Sequence, residues 1–198
     1  MPPNPQRRST HSHAAILDAT IDQLTSVGYP KMTIEGISAQ AGVGKATVYR
    51  WWPSKARLVV EALSKRCEMP AVTSTGDLRH DVQCLVRRAI ELMNKSPLGG
   101  ALPHLAIDFN DDPEARVQLL KWLGPTRAKQ RALLYEAAGR GDLPHDLDAG
   151  LVLDLIGGTI MYRKLLGGQA DDQIAEQLVS LIVDRQLPRA GVEDSRLI

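Results

Sequence analysis

The chain has 198 residues, 43% hydrophobic and 24% charged, a balance ordinary for a soluble globular protein and enough for a small domain joined to a larger one. Aromatics make up only 4%, so the core must come from Leu, Ile, Val and Ala, which suits packed helices better than a β-sandwich. The net charge of +1 hides an asymmetry: residues 1–68 hold nine Lys/Arg against five Asp/Glu and the remainder is acidic in balance, so a polyanion is expected at one end of the molecule.

The Pro-rich start, with Arg7 and Arg8, reads as a flexible arm over residues 1–8, either a minor-groove arm or a solvated tail. It lacks the apolar stretch of a secretory signal. From Ser9 to Val27 the residues Ile16, Leu17, Ile21, Leu24 and Val27 recur at helical spacing, and Gly28-Tyr29-Pro30 stops the helix. Thr33 is the expected N-cap of a short second helix that buries Ile34, Ile37 and Ala41. Gly42 allows a left-handed turn, a third helix runs from about Gly44 to Trp52, and Pro53 ends it. Ser54 caps a fourth helix through Leu58, Val59, Ala62 and Leu63.

Residues 69–76 read as a linker. Beyond it helices are expected over Asp77–Asn94, Ala101–Asn110, Glu114–Ala138 (kinked or split at Gly124-Pro125), Asp148–Leu166 and Asp171–Gln186. The tail 189–198 reads as loose. The fold class is therefore all-α: an N-terminal helix-turn-helix domain over 9–68 and a helical domain over 77–188. Cys67 and Cys84 fit neither a metal site nor a disulfide framework, which points to the cytoplasm. No apolar run approaches the roughly 18 residues that span a bilayer, so no membrane role is expected.

Two short helices joined by a glycine turn form a helix-turn-helix, and the second suits a major groove. Gly44 and Ala46 keep its start slim, so the backbone can come close to base edges. Lys45 and Arg50 can donate to guanine, and Thr47 offers a hydroxyl and a methyl. Tyr49, Lys55 and Thr33 are placed for phosphates, the last two at helix starts. Trp51 either touches sugar-phosphate or shields the core, and Trp52 reads as a core aromatic.

The run TIEGISAQAGVGKATVYRWWPSKARLV, residues 33–59, resembles the DNA-binding signature of the tetracycline-repressor (TetR) family. The resemblance is strong over residues 9–68; beyond them it extends only to an all-helical domain of suitable length. It implies that Thr47, Tyr49 and Lys55 contact the DNA backbone and that Lys45, Ala46 and Arg50 read bases. Gly44 departs from the Ser common in the family, and Trp51-Trp52 from the usual Tyr/His-Phe. The resemblance further implies a sequence-specific regulator, by family default a repressor, working as a homodimer on a double-stranded operator and released by a small-molecule effector.

The last two long helices are apolar enough to pair across a two-fold axis, with Gly157-Gly158 either at that interface or in an intramolecular core. Candidates for the effector pocket are Met93, His104, Phe109, Trp122, Tyr135 and Tyr162, of which Tyr162 and Trp122 combine apolar area with a polar handle. Few charges lie on these faces, which favours an uncharged or amphipathic compound. No cofactor, metal or catalytic residue is expected, and so no enzyme. The alternative is a small-molecule-binding or metal-dependent protein using His104 and Asp108, four apart on one helix face. Against it, Asp111-Asp112-Pro113 reads as a helix-capping turn.

Overall fold

The structure is a computed structural model and describes residues 5–69 and 72–185. Among the described residues every regular element is a helix, in the order α1(Pro5–Ser26), α2(Ile34–Gln40), α3(Lys45–Trp51), α4(Lys55–Arg66), α5(Leu78–Lys95), α6(Pro97–Asp108), α7(Pro113–Gly139), α8(Ala149–Leu165) and α9(Asp172–Val183). None of them is long and apolar enough to cross a membrane. The all-α expectation holds. Residues 5–8, expected in a flexible arm, belong to α1. Residues 1–4 of that arm and the tail 189–198 lie outside the described residues.

The chain divides into two compact units, and the division differs from a single cut at the linker. One unit gathers the chain up to the linker together with Leu92–Thr126; the other takes the rest. The reason is visible in the first core. Ile16 of α1, Ile37 of α2, Val48 of α3 and Leu58 and Leu63 of α4 are fully buried with Leu98 and Leu105 of α6 and Ala115 of α7. α1 packs on α4 and α2, and both α1 and α4 contact α6. Each such Leu or Ile contributes about 1.5–3 kcal/mol by leaving water, so α6 cannot be detached from the helix-turn-helix without exposing that surface.

In the second unit Val82, Leu85 and Val86 of α5, Leu133 and Leu134 of α7, Ile156 and Ile160 of α8 and Leu178 and Val179 of α9 are buried. α5 is preceded by a polar turn rather than a featureless linker. Asp81, 1% exposed, accepts from the Thr75 amide (2.9 Å), the Thr75 hydroxyl (2.7 Å) and the Ser74 hydroxyl (3.2 Å). Burial opposes its ionisation, but those donors outweigh it and hold the carboxyl below its ordinary range.

Local side-chain caps account for five of the helix starts. Thr33, Ser54, Ser96, Asp148 and Asp171 each accept a main-chain N–H three residues on. α6 starts at Pro97, earlier than expected. Its Leu98-Gly99-Gly100 run reads as loop, yet Gly99 sits where a Cβ would meet the Met93 carbonyl oxygen at 2.0 Å, so the glycine is what lets α6 fold back on the end of α5. α7 is not split at Gly124-Pro125: the helix runs through with Pro125 inside.

Candidate nucleic-acid interface

α2 begins where Thr33, in extended backbone, accepts from the Gly36 amide at 3.0 Å. Its inner side is Ile34 and Ile37, and its outer side includes Glu35, Ala39 and Gln40. The turn reverses at Gly42, whose φ of +66° lies in the region that favours glycine. The Val43 amide then closes it on the Ser38 carbonyl at 2.9 Å. Gly44 is the N-cap of α3 and, having no side chain, leaves the first amides of α3 without a side-chain cap.

At about 100° per residue, the seven residues of α3 divide cleanly. Val48 is fully buried and Trp52, just past the helix end, is 3% exposed; these two anchor α3 to the core. Lys45, Ala46, Tyr49, Arg50 and Trp51 form the exposed arc, with Thr47 half-buried among them. The Trp52 indole donates to Glu61 of α4 at 2.8 Å, which fixes the end of α3 against α4. Lys45 pairs with Glu35 across the two helices at 2.7 Å. The hydrogen bond from Lys45 holds the Glu35 carboxyl below its usual range, and Glu35 in turn raises the Lys45 ammonium.

Behind this face a second set of contacts ties α4 to α6 and α7. Ser54 caps α4 through the Arg57 amide at 3.1 Å and also donates to Asp112 at 2.5 Å. Arg57 Nε donates to both oxygens of Asp112 at 2.9 and 3.0 Å, and the Ala115 amide donates to one of them at 3.2 Å. The Arg57 hydrogen bond, helped by Ser54 and Ala115, overcomes burial and draws Asp112 down to about 2. Lys55, the first residue of α4, donates to the Tyr29 carbonyl at 3.2 Å and lies 4.2 Å above the Tyr29 ring. The Tyr29 hydroxyl donates to Asp108 of α6, and its ring stacks parallel to His104 at 6.0 Å. Burial, with the Asp108 carboxylate beside it, pushes the Tyr29 phenol far above its ordinary range. A cavity of about 470 Å³ opens between Pro53, Arg57, Asp108 and Asp112.

All nine residues expected to touch DNA sit on or beside α2, α3 and the start of α4. Thr33, Gly44, Lys45, Ala46, Tyr49, Arg50 and Trp51 are exposed, and Thr47 and Lys55 are partly so. The six pocket candidates are not brought together in this way. Phe109 and Trp122 pack on the core of the first unit, where His104 stacks on Tyr29 and Met93 backs Gly99. In the second unit Tyr135 is 52% and Tyr162 65% exposed. Tyr162 lines a cavity of about 620 Å³ with Gly158, Thr159, Arg163 and Leu166. The sequence reading missed the Glu35–Lys45 pair and the Tyr29–Asp108 and Arg57–Asp112 bonds; only the Asp112 cap had a local signal. One Asp108 oxygen accepts from the Tyr29 hydroxyl, and no group of three His, Cys, Asp or Glu among the described residues is arranged to hold a metal ion.

Residues 16–62 match the family model described as bacterial regulatory proteins, tetR family, and residues 72–182 the model described as tetracyclin repressor-like, C-terminal domain. The chain is 32% identical over 177 residues to the uncharacterized HTH-type transcriptional regulator YdeS of Bacillus subtilis, covering 87% of this chain and 88% of the relative. It is 28% identical over 172 residues to the DNA-binding transcriptional repressor TetR of Mycobacteroides abscessus, covering 84% and 88%. Among solved structures, the TetR family transcription regulator SCO0332 superposes with a TM-score of 0.68 at 27% identity, covering 89% of this chain and 99% of that one.

Proposed function

This chain belongs to the tetR family of bacterial regulatory proteins and is a DNA-binding transcriptional regulator; from that premise we propose that α3 enters the major groove of an operator and that a small molecule releases it. The observation that carries this is the exposed arc of α3, with Lys45, Tyr49 and Arg50 turned away from the core that Val48 and Trp52 anchor. Lys45 and Arg50 read guanine edges, Ala46 and Gly44 let the helix approach, and Thr47, Tyr49, Lys55 and Thr33 hold phosphates. Selection of duplexes from a random pool by the full-length protein tests it. The expected winner is a palindrome with half-sites about 34 Å apart. Arg50→Ala and Lys45→Ala relax the preference and Lys55→Ala weakens all duplexes alike; failure of the pool to enrich overturns the assignment.

The partner is a second copy of this chain. Leu151, Leu155, Tyr162 and Leu165 expose 56%, 47%, 65% and 60% of their surface along one side of α8, a recurrence that follows the helical period. A Cβ at Gly157 or Gly158 would meet nothing within 4 Å, which supports close approach of another helix over an intramolecular packing role. Sedimentation should find a dimer, and Leu155→Glu a monomer with much weakened operator binding. A parent monomer that still recognises a palindrome would reject the pairing.

The effector is an apolar or amphipathic uncharged compound, with Met93, His104, Phe109 and Trp122 of the first unit as its candidate contacts. The hydrogen bonds that Asp108 accepts from Tyr29 and Asp112 from Ser54 and Arg57 support a population shift in which movement of α6 and the start of α7 carries α4 with it and changes the spacing of the recognition helices. The default outcome is repression lifted by the compound, in the cytoplasm, where bacterial DNA lies. A thermal-shift screen followed by operator release tests it; a compound that stabilises the protein without changing DNA affinity would reject the coupling.

A further inference from the structure

We propose that His13 is a positioning residue for the DNA interface: it holds the Trp51 indole at the flank of α3 so that the indole meets the sugar-phosphate backbone. The proposal rests on the docking of α3 in the groove. His13 lies on α1, and its side chain is 25% exposed. Its Nε2 sits 3.2 Å from one carboxylate oxygen of Glu61. The other Glu61 oxygen accepts from the Trp52 indole at 2.8 Å. The imidazole is thus held from α4 on one side and meets two indoles on the other. Its centroid is 4.9 Å from Trp51, edge-on at 75°, and 4.8 Å from Trp52.

Trp52 is buried and has its own anchor. Trp51 is 41% exposed and closes one edge of the α3 arc, beside Thr47 rather than beside Arg50. The Trp51 ring also meets the ring of Trp52 at 6.2 Å, tilted by 39°, but it lies at the rim of the core, and a side chain on a helix flank that loses one of two ring contacts samples more rotamers. The edge-on contact with His13 selects one, at a favourable aromatic distance. An indole so held offers a flat apolar edge for deoxyribose and an N–H for phosphate, the two groups that line the groove. His13 itself need not touch DNA.

A double-mutant cycle on binding separates positioning from general support of the fold. The probe is the fluorescein-labelled duplex selected from a random pool by the parent, measured by anisotropy with full-length protein. His13→Ala should weaken binding about tenfold, and Trp51→Ala at least as much, each within the usual range for coupled contacts. The double variant should be no weaker than Trp51→Ala alone. His13→Phe keeps the ring edge against Trp51 and should bind within about threefold of the parent, which also guards against a His13→Ala that fails to fold. Additive losses, or a His13→Phe as weak as His13→Ala, overturn the proposal. So does a Trp51→Ala that binds like the parent. In either case, loss of selectivity in Lys45→Ala would show that α3 docking stands. A parent that enriches no sequence removes the docking itself.

Discussion

The Lys45 ammonium lies 2.7 Å from the Glu35 carboxylate, so the first residue of the recognition helix is held to the helix before it when no DNA is present. Both side chains are more than half exposed, at 54% and 61%, so water and salt weaken the bond and its main consequence is for DNA binding. Lys45 must exchange a carboxylate for a base edge or a phosphate, and Glu35 brings a negative charge near the duplex. Glu35→Gln should therefore tighten binding to every duplex and steepen the dependence of log K on log salt, because a negative charge beside the polyanion is gone and Lys45 no longer has to leave it. Anisotropy titrations across a salt series measure it. An unchanged slope would mean that Lys45 is not restrained by Glu35.

Asp112 gives the fold an acid-sensitive joint. Its carboxyl is drawn down to about 2, chiefly by Arg57, from an unfolded value near 3.8. A carboxyl with a depressed folded pKa stabilises the fold fully above its unfolded value and loses that contribution as pH falls through its folded value. The contribution is thus complete above about pH 4 and gone near pH 2. The shift corresponds to about 1–2 kcal/mol once the partial exposure of Arg57 is allowed for. Asp112→Ala should lose that amount at pH 7 in urea unfolding, and the gap between variant and parent should close on titration to pH 2. A gap that stays constant with pH would assign the loss to packing instead.

The helix-turn-helix was legible because its signals are local: the Thr33 and Ser54 caps, the Gly42 turn and the Pro53 stop all act within four residues. The exposed arc of α3 followed from the burial of Val48 and Trp52, which helical spacing alone suggests. The pairs that tie α4 and the α1–α2 turn to the end of α6 and the α6–α7 turn were not legible. Tyr29 and Asp108 are 79 positions apart and Arg57 and Asp112 are 55 apart, and nothing in one segment marks its partner. The start of α6 was hidden for a related reason. Leu98-Gly99-Gly100 has poor helix propensity, and contact with Met93 overrides it. For the effector candidates residue type does not say which helix face each one presents: Phe109 and Trp122 pack on the first core, while Tyr135 and Tyr162 are half-exposed or more.

Tyr29 serves two neighbours with different parts of its side chain. The hydroxyl binds Asp108 and the ring lies under Lys55. Tyr29→Phe removes the first and keeps the second, so stability should fall by about 1.5 kcal/mol, typical of a hydrogen bond to a charged group, with operator affinity near that of the parent. Tyr29→Leu removes both. It should be less stable still and bind operator several-fold more weakly, because Lys55 loses its seat over the ring. Urea unfolding and anisotropy on the selected duplex separate the two. Equal operator affinity for the two variants would deny the ring any part in presenting Lys55.

Gly99 and Gly100 are adjacent in α6 and should respond oppositely to the same methyl group. A Cβ at Gly99 would lie 2.0 Å from the Met93 carbonyl oxygen and 2.5 Å from its carbon, both backbone atoms, while one at Gly100 would meet nothing within 4 Å. Relief of the first clash needs a shift of the α5–α6 turn, and with it of Leu98 and Leu105, which are buried with α1 and α4. Overpacking of this kind costs about 1–3 kcal/mol and more where backbone must move, so Gly99→Ala should sit at or beyond the upper end. Gly100→Ala replaces a poor helix former by the best one at an exposed position and should gain up to about 1 kcal/mol. Thermal melts of the two variants give the comparison directly. If Gly99→Ala were as stable as the parent, the tight turn that seats α6 against the helix-turn-helix would not be required, and α6 would be free to move without disturbing the DNA-facing helices.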